Sequence, residues 1–454
     1  MKKHLCLILS VFLAIGLLAG CGGGGTDQSG SAAPGGEEHV VLKISHNMDF
    51  VTIPDAVVAA ADRLMARYAA EGRNVKIEFE KDYQRIDWTE YHNNLVFADK
   101  SGDAPDIFSL DSDNIFGFVK AGMLMDLSEL KSDKFVDGIF EHYTVDGKIY
   151  GMPFDMPVRV MYYNKAGLAA IGWTEEQIAA LPGQIERGEF TFEQFMDLAA
   201  EVQAKGGAKW GLAHRPGRGP DFLDILQVLG GSYYNDEGTL VFDEAGLTRF
   251  FQFTYDNANT TKITPPDLNQ MGWDTINKMV ATGEAFAYYG PLYSSTYVAN
   301  AGGMTPAELV ESVSFALFPK SEQNDKPFAS VAPQGMGISS RTKYPEICMD
   351  LFKELADGSS EELAKHASTI LTLSSVKSAN ENPILTENPV LKEVTYMTDY
   401  GVTAPSIEGL NTYTSELHKQ IVQLELGQIT PEAAVKDMKT QLELNLDADS
   451  ILFQ

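Results

Sequence analysis

"DGKIYGMPFDMPVRVMYYNKAG" (residues 146–167) is a sheet-like stretch that its own residues interrupt. Asp146-Gly147 is a hairpin turn signal, because both positions of such a turn need positive φ. Pro153 and Pro157 follow, and each removes a backbone donor that a central strand requires. Between and beyond them, Asp155 and Arg159 stand among apolar residues before the run ends in Tyr163-Asn164-Lys165. One continuous buried strand does not fit. A chain leaving one sheet and entering another does, with the two prolines at the passage.

Outward from this stretch, strand-like and helical segments alternate. Residues 39–47 read as a strand, 52–72 as an amphipathic helix, 74–82 as a strand and 87–103 as a helix capped by Asp87 or Thr89. A further strand and polar loop cover 105–114. This rhythm predicts a mainly parallel sheet flanked by helices. Later come a helix over 191–207 capped by Thr191, a hairpin over 230–243, and a helix, turn and strand within 273–294. A short strand at 312–320 precedes an extended, proline-broken run at 326–341, and a helix at 430–446 starts with Thr430 as cap and Pro431 in its first turn. Proline-interrupted crossings fall at 152–160 and 326–333, with a third near 399–409. Three crossings suit an α/β chain of two lobes with a cleft between them.

The N-terminus is read apart from the fold. Lys2 and Lys3 precede an apolar stretch from Leu5 to Leu18, shorter than the roughly 20 residues of a spanning helix. Leu18-Ala19-Gly20-Cys21 resembles a bacterial lipobox, so residues 1–20 are expected to be a lipoprotein signal peptide, with Cys21 lipidated. Residues 21–38 are a Gly/Ser-rich tether. The expected division continues with lobe I at 39–153 and 330–398, and lobe II at 154–329 and 399–454.

Of 35 basic and 63 acidic residues, residues 1–20 hold two lysines and no acid, so the processed chain carries a formal charge of −30. That disfavours nucleic acid and anionic lipid headgroups as partners. Cys348 is the one cysteine left after processing and acylation, which removes intramolecular disulfides and thiolate metal sites. It sits among Ile347, Leu351, Phe352 and Leu355 at helical spacing, as a buried thiol does.

Catalytic signatures are missing: no HExxH, G-x-S-x-G, P-loop or strand-linked G-x-G-x-x-G occurs. No pair of histidines stands at i, i+4. The loop "LAHRPGRGPD" (212–221) is rich in glycine and arginine but lacks the lysine and placement of a phosphate cradle. Neither a metal nor a cofactor is expected, and the chain is read as a binding protein, not an enzyme. The alternatives are a receptor for a cation, a polyamine or ferric ion, suggested by acidity and the pairs Tyr162-Tyr163, Tyr233-Tyr234 and Tyr288-Tyr289, or a glycan-active enzyme using Asp111, Asp113, Asp155 or Asp221.

The order of five stretches resembles bacterial extracellular solute-binding proteins of carbohydrate ABC importers, the group that includes maltodextrin-binding protein. They are "GDAPDIFSLDSDNIFGFVKAGMLMDLSEL" (102–130), the 146–173 segment, "MVATGEAFAYYGP" (279–291), residues 318–355 and "LELGQITPEAAVKDMKTQLE" (424–443). The resemblance implies a lipid-anchored extracytoplasmic monomer that binds a sugar or short oligosaccharide by hinge closure and delivers it to permease subunits. By motif it places Asp111, Asp113 and Asn114 after the Pro-Asp strand, and Asp155 and Arg159 on the first crossing. Tyr289, Gly290 and Tyr293 fall at a strand end of lobe II, Gln334 on the second crossing and Tyr413 on the third. Residue pattern adds Asp49, Trp88, Asp221 and Trp273. Trp88 either staples its helix or meets solute, and Asp111 either caps a helix or does so; Arg159 pairs with Asp155 or with the ligand. Pro-Leu-Tyr stands after Gly290 where relatives often carry tryptophan, and only four tryptophans occur in all. That implies a ligand that is small, or stacked on tyrosine, or not a plain neutral sugar.

Overall fold

The 146–167 stretch is shared among four separate sheets in the computed structural model, which describes residues 37–47, 50–110, 114–358 and 360–454. Thr144–Val145 and Lys148–Ile149 form a hairpin around Asp146 and Gly147, whose φ angles are 50° and 76°. Met152–Pro153 then pairs with Gly335 and Met336. Asp155–Met156 pairs with Leu373–Ser374, and Val158–Asn164 enters another sheet. Pro153 and Pro157 therefore sit at the ends of short ladders, where a missing N–H costs little.

The first sheet runs in the order Val75–Gln84, Glu38–Asn47, Ile107–Leu110, Gly335–Ile338, Met152–Pro153. Its first three strands are parallel, joined by the helices Thr52–Ala70 and Trp88–Ser101, as the alternating pattern predicts. The last two run antiparallel to their neighbours. Asp87 caps the second helix through Thr89 N at 2.8 Å. The helix Pro345–Gly358 packs on Thr52–Ala70 and buries Cys348.

The second sheet has the order Gly401–Thr403, Ala329–Val331, Val158–Asn164, Ala285–Pro291, Trp210–Ala213, with Val313–Ala316 also paired to Val158–Asn164. All seven residues of Val158–Asn164 are buried, which accounts for its apolar run and for Tyr162 and Tyr163 as core side chains. The chain returns to the first sheet through Ala332-Pro333-Gln334, between Ala329–Val331 and Gly335–Ile338. Two proline-marked passages thus lie side by side: Pro157 O accepts from Ala332 N at 3.4 Å, and Phe154 N donates to Gln334 O at 2.8 Å. The result is a mixed α/β molecule of two lobes.

Three details differ from the sequence reading. The 230–243 hairpin is reduced to one bridge, Tyr234 to Leu240, because Leu240–Phe242 pairs instead with Ile451–Phe453. The helix Pro389–Val394 packs on Pro306–Ser312 and Val313–Ala316, so contact with the second sheet's layer begins before residue 399. The helix expected over 191–207 spans Phe192–Ala204, with its Thr191 cap in place. Cys21, the signal and most of the tether lie outside the described residues; among the described residues no helix is long and apolar enough to cross a membrane.

Candidate functional site

The two crossing segments form the floor of a cavity of about 180 Å³ between the lobes. Pro157, Arg159, Ala332, Pro333 and Gln334 come from the crossings. Trp88 and Leu110 come from the first lobe, and Arg215, Arg218, Asp221 and Tyr293 from the second. Each arrives for a local reason. Trp88 opens the helix that Asp87 caps, and holds an edge-to-face contact with Tyr91 at 5.5 Å. Arg215 and Arg218 lie on the loop between strand Trp210–Ala213 and helix Asp221–Val228, which Asp221 begins. Tyr293 precedes the helix Ser294–Gly302 just beyond strand Ala285–Pro291.

Charge is organised around Asp221, which is wholly buried. Its Oδ1 lies 2.9 Å from Arg159 Nε and its Oδ2 2.9 Å from Arg215 Nη1. Asp224, one turn along, has Oδ2 3.9 Å from Arg159 Nε. Burial pushes the Asp224 carboxyl up to about 7, with Arg159 pulling down and Asp221 pushing up further. Arg159 Nη1 also donates to Ser330 Oγ at 3.3 Å. Arg215 lies directly over Gly219: a Cβ there would be 1.8 Å from the guanidinium carbon, so only glycine lets the arginine take this path. Arg215 also sits 5.5 Å from the Trp273 ring centroid.

Arg218 has a different set of partners. Its Nη1 donates to the side chain and the carbonyl of Asn411 and to the hydroxyls of Thr414 and Ser415. Asn411 Nδ2 in turn donates to Asn114 Oδ1 at 3.3 Å, a hydrogen bond from one lobe to the other.

Of the residues singled out from the sequence, Trp88, Arg159, Asp221, Tyr293 and Gln334 meet at the cavity. Asn114 stands beside it through Asn411, and Trp273 flanks it through Arg215, with 44% of its own surface exposed. Gly290 pairs with Val160 in the sheet behind, where a Cβ would be 2.5 Å from the Tyr288 hydroxyl. Three residues are elsewhere. Asp155 is fully buried and pairs with His366 Nε2 at 3.1 Å while accepting from Gln334 N at 2.8 Å, so it meets neither Arg159 nor the cavity. Tyr289 shares a strand face with Pro291 but lies further from the cavity, where it stacks on His214, itself 2.7 Å from Glu425. Tyr413 is core within helix Leu410–Glu425. Asp49, Asp111 and Asp113 lie outside the described residues. Arg215, Arg218, Asp224 and Asn411 were not singled out. The "RPGRGPD" loop carried a signal for the arginines, but one that becomes meaningful only when the fold places that loop over the crossings.

The tyrosine pairs belong to packing: Tyr162, Tyr163, Tyr288 and Tyr289 are buried in the second sheet, and Tyr233 and Tyr234 stack edge-to-face on each other. Among the described residues no group of three or more His, Cys, Asp or Glu side chains is arranged to hold a metal ion.

Comparison with known proteins agrees with this architecture. The family model described as bacterial extracellular solute-binding protein matches residues 63–393. An arabinooligosaccharide-binding protein of Halalkalibacterium halodurans is 23% identical over 288 residues, 60% of this chain. The match spans 60% of that relative's own length. The maltodextrin-binding protein MdxE of Bacillus subtilis is 27% identical over 357 residues, 76% of this chain and 75% of the relative. Among solved structures, maltose-bound MalE3 of T. maritima superposes with a TM-score of 0.69 at 19% identity, covering 90% of this chain and all of that one, which establishes a shared fold.

Proposed function

The chain belongs to the bacterial extracellular solute-binding protein family, and on that premise we propose that it is the lipid-anchored, extracytoplasmic receptor of an ABC importer, taking a sugar or short oligosaccharide between its lobes. The observation that carries this reading is the cavity itself. It draws side chains from both lobes and both crossings, and combines two aromatic rings with arginine, carboxylate and amide groups. A sugar hydroxyl both donates and accepts, so its recognition needs convergent polar partners, while the apolar face of the ring needs an aromatic cover. The named sugars of the relatives point the same way. A ligand touching Trp88 and Tyr293 together favours the closed arrangement of the lobes, which is the form a permease would receive.

Arg159, Arg215 and Arg218 at this cavity support an uncharged or negatively charged solute over a polyamine or ferric ion. Binding without turnover is supported by the carboxylates: Asp221 is held by two arginines and Asp155 is sealed in the hinge, so neither is placed as an acid–nucleophile pair. Acylation of Cys21 follows from the lipobox reading. A thermal-unfolding screen over neutral and acidic oligosaccharides, spermidine and ferric ion tests the proposal, since a ligand at 100 times its Kd stabilises by about 2.7 kcal/mol. A response to sugars is expected; a response to spermidine or iron alone, or hydrolysis of any glycan, overturns it.

A further inference from the structure

Among the described residues the charges around the cavity do not cancel. Three guanidiniums, Arg159, Arg215 and Arg218, share two carboxylates, Asp221 and Asp224. Arg159 and Arg215 take both oxygens of Asp221, and Asp224 lies nearer Arg159. Among the described residues Arg218 has no carboxylate within ion-pair reach, and its partners are the neutral Asn411, Thr414 and Ser415. All four of those contacts fall on Nη1. The Nε–Nη2 edge, the side of a guanidinium that meets a carboxylate with two parallel hydrogen bonds, has no partner among the described residues. In a chain of formal charge −28, a half-buried arginine on the cleft wall with no counter-ion among the described residues is a localised exception. Its Nη1 anchor on helix Leu410–Glu425 fixes the fork, so little side-chain entropy is left to lose on binding.

We propose that the cleft takes an acidic oligosaccharide, one carrying a uronic-acid carboxylate, which docks on the Nε–Nη2 edge of Arg218 while Trp88 and Tyr293 cover the sugar ring. The inference rests on the receptor reading and narrows it. One carboxylate matches the one guanidinium fork that no carboxylate of the described residues meets; a phosphorylated sugar offers related chemistry with up to two charges. The acidity of the whole chain does not steer such a ligand inward, so recognition depends on the local fork and not on the long-range field. It also fits the absence of tryptophan from the turn after Gly290, where Pro291-Leu292-Tyr293 stands.

Calorimetric titration of the processed chain separates the possibilities. The probes are glucuronosyl-xylotriose against its methyl ester and against xylotriose, and glucose 6-phosphate. The acid is expected to bind at least about tenfold more tightly than either neutral counterpart, with the difference shrinking as salt rises. Arg218→Gln is expected to remove that preference, bringing the acid-to-neutral affinity ratio to within about threefold of one, whatever happens to the affinity for the neutral sugar itself. If this variant fails to fold, the acid-to-ester ratio of the wild-type chain decides the matter. Equal or tighter binding of the neutral sugars overturns the inference and leaves the receptor reading standing. Binding of glucose 6-phosphate without the uronate overturns the carboxylate assignment. Heat from none of the probes overturns both readings.

Discussion

Arg159 reaches away from Asp155, four residues back on the same crossing, and meets Asp221 at 2.9 Å across the second lobe. The two charged residues that interrupt the 146–167 stretch therefore serve different structures. Asp155 belongs to the hinge and Arg159 to the cleft. Because Asp221 also holds Arg215, removing it leaves two guanidiniums facing the same buried space. Asp221→Ala is expected to lower stability by about 3–5 kcal/mol in urea unfolding, the usual consequence of breaking a buried pair from one side. A loss below about 1 kcal/mol would show that water compensates the arginines.

Asp155 ties together three segments: its own crossing, Gln334 N on the other, and His366, whose Nδ1 lies 2.7 Å from Thr52 Oγ1. Asp155→Ala leaves a buried imidazole and a backbone N–H without their acceptor, at a cost of about 2–4 kcal/mol. Solute affinity is expected to change less than about threefold, since Asp155 does not line the cavity. Titration calorimetry beside denaturant unfolding distinguishes this hinge role from direct solute contact.

Gly219 gives a test that leaves the charges intact. A methyl group there has to displace the Arg215 guanidinium, which is the flexible end of a side chain and gives way more readily than backbone. Gly219→Ala is expected to lower the unfolding midpoint, because Arg215 moves off the buried Asp221, and to weaken solute binding about tenfold. Unchanged affinity would place Arg215 outside the recognition set.

The Asp224 carboxyl, pushed up to about 7 mainly by burial, carries a pH signature. Between about pH 4 and 7 the folded chain keeps a proton that the unfolded chain has released, so this group makes stability fall as pH rises through that window. Asp224→Asn is expected to match the parent near pH 4 and to become relatively more stable toward pH 7 and above. Stability profiles of the two proteins that stay parallel from pH 4 to 8 would contradict the assignment.

The crossings were legible because proline acts locally. Pro153 and Pro157 exclude a central strand whatever the surroundings, so the break between sheets follows from 146–167 itself. Trp88 is legible from the residue pattern before its helix, and Tyr293 only through the resemblance of its strand-end turn to the family's motif. Tyr289 lies on the strand face that Pro291 shares, but His214 covers it, and which side chain covers it depends on a segment distant in sequence. Tyr413 follows from the same limit on a helix, since its stretch was read as an extended crossing and not as the start of Leu410–Glu425. Arg218 is not legible as a site residue: what distinguishes it is the lack of a counter-charge among the described residues, and that depends on which of 63 acidic residues the fold brings near it.

One measurement bears most directly on a solute held between the lobes: calorimetric titration of whichever oligosaccharide gives the largest thermal shift, into the parent chain, Trp88→Ala and Tyr293→Ala. These rings come one from each lobe and meet at the same cavity. An interlobe site predicts that either truncation alone weakens binding by at least about tenfold with the fold retained. Undiminished affinity in both variants would contradict it.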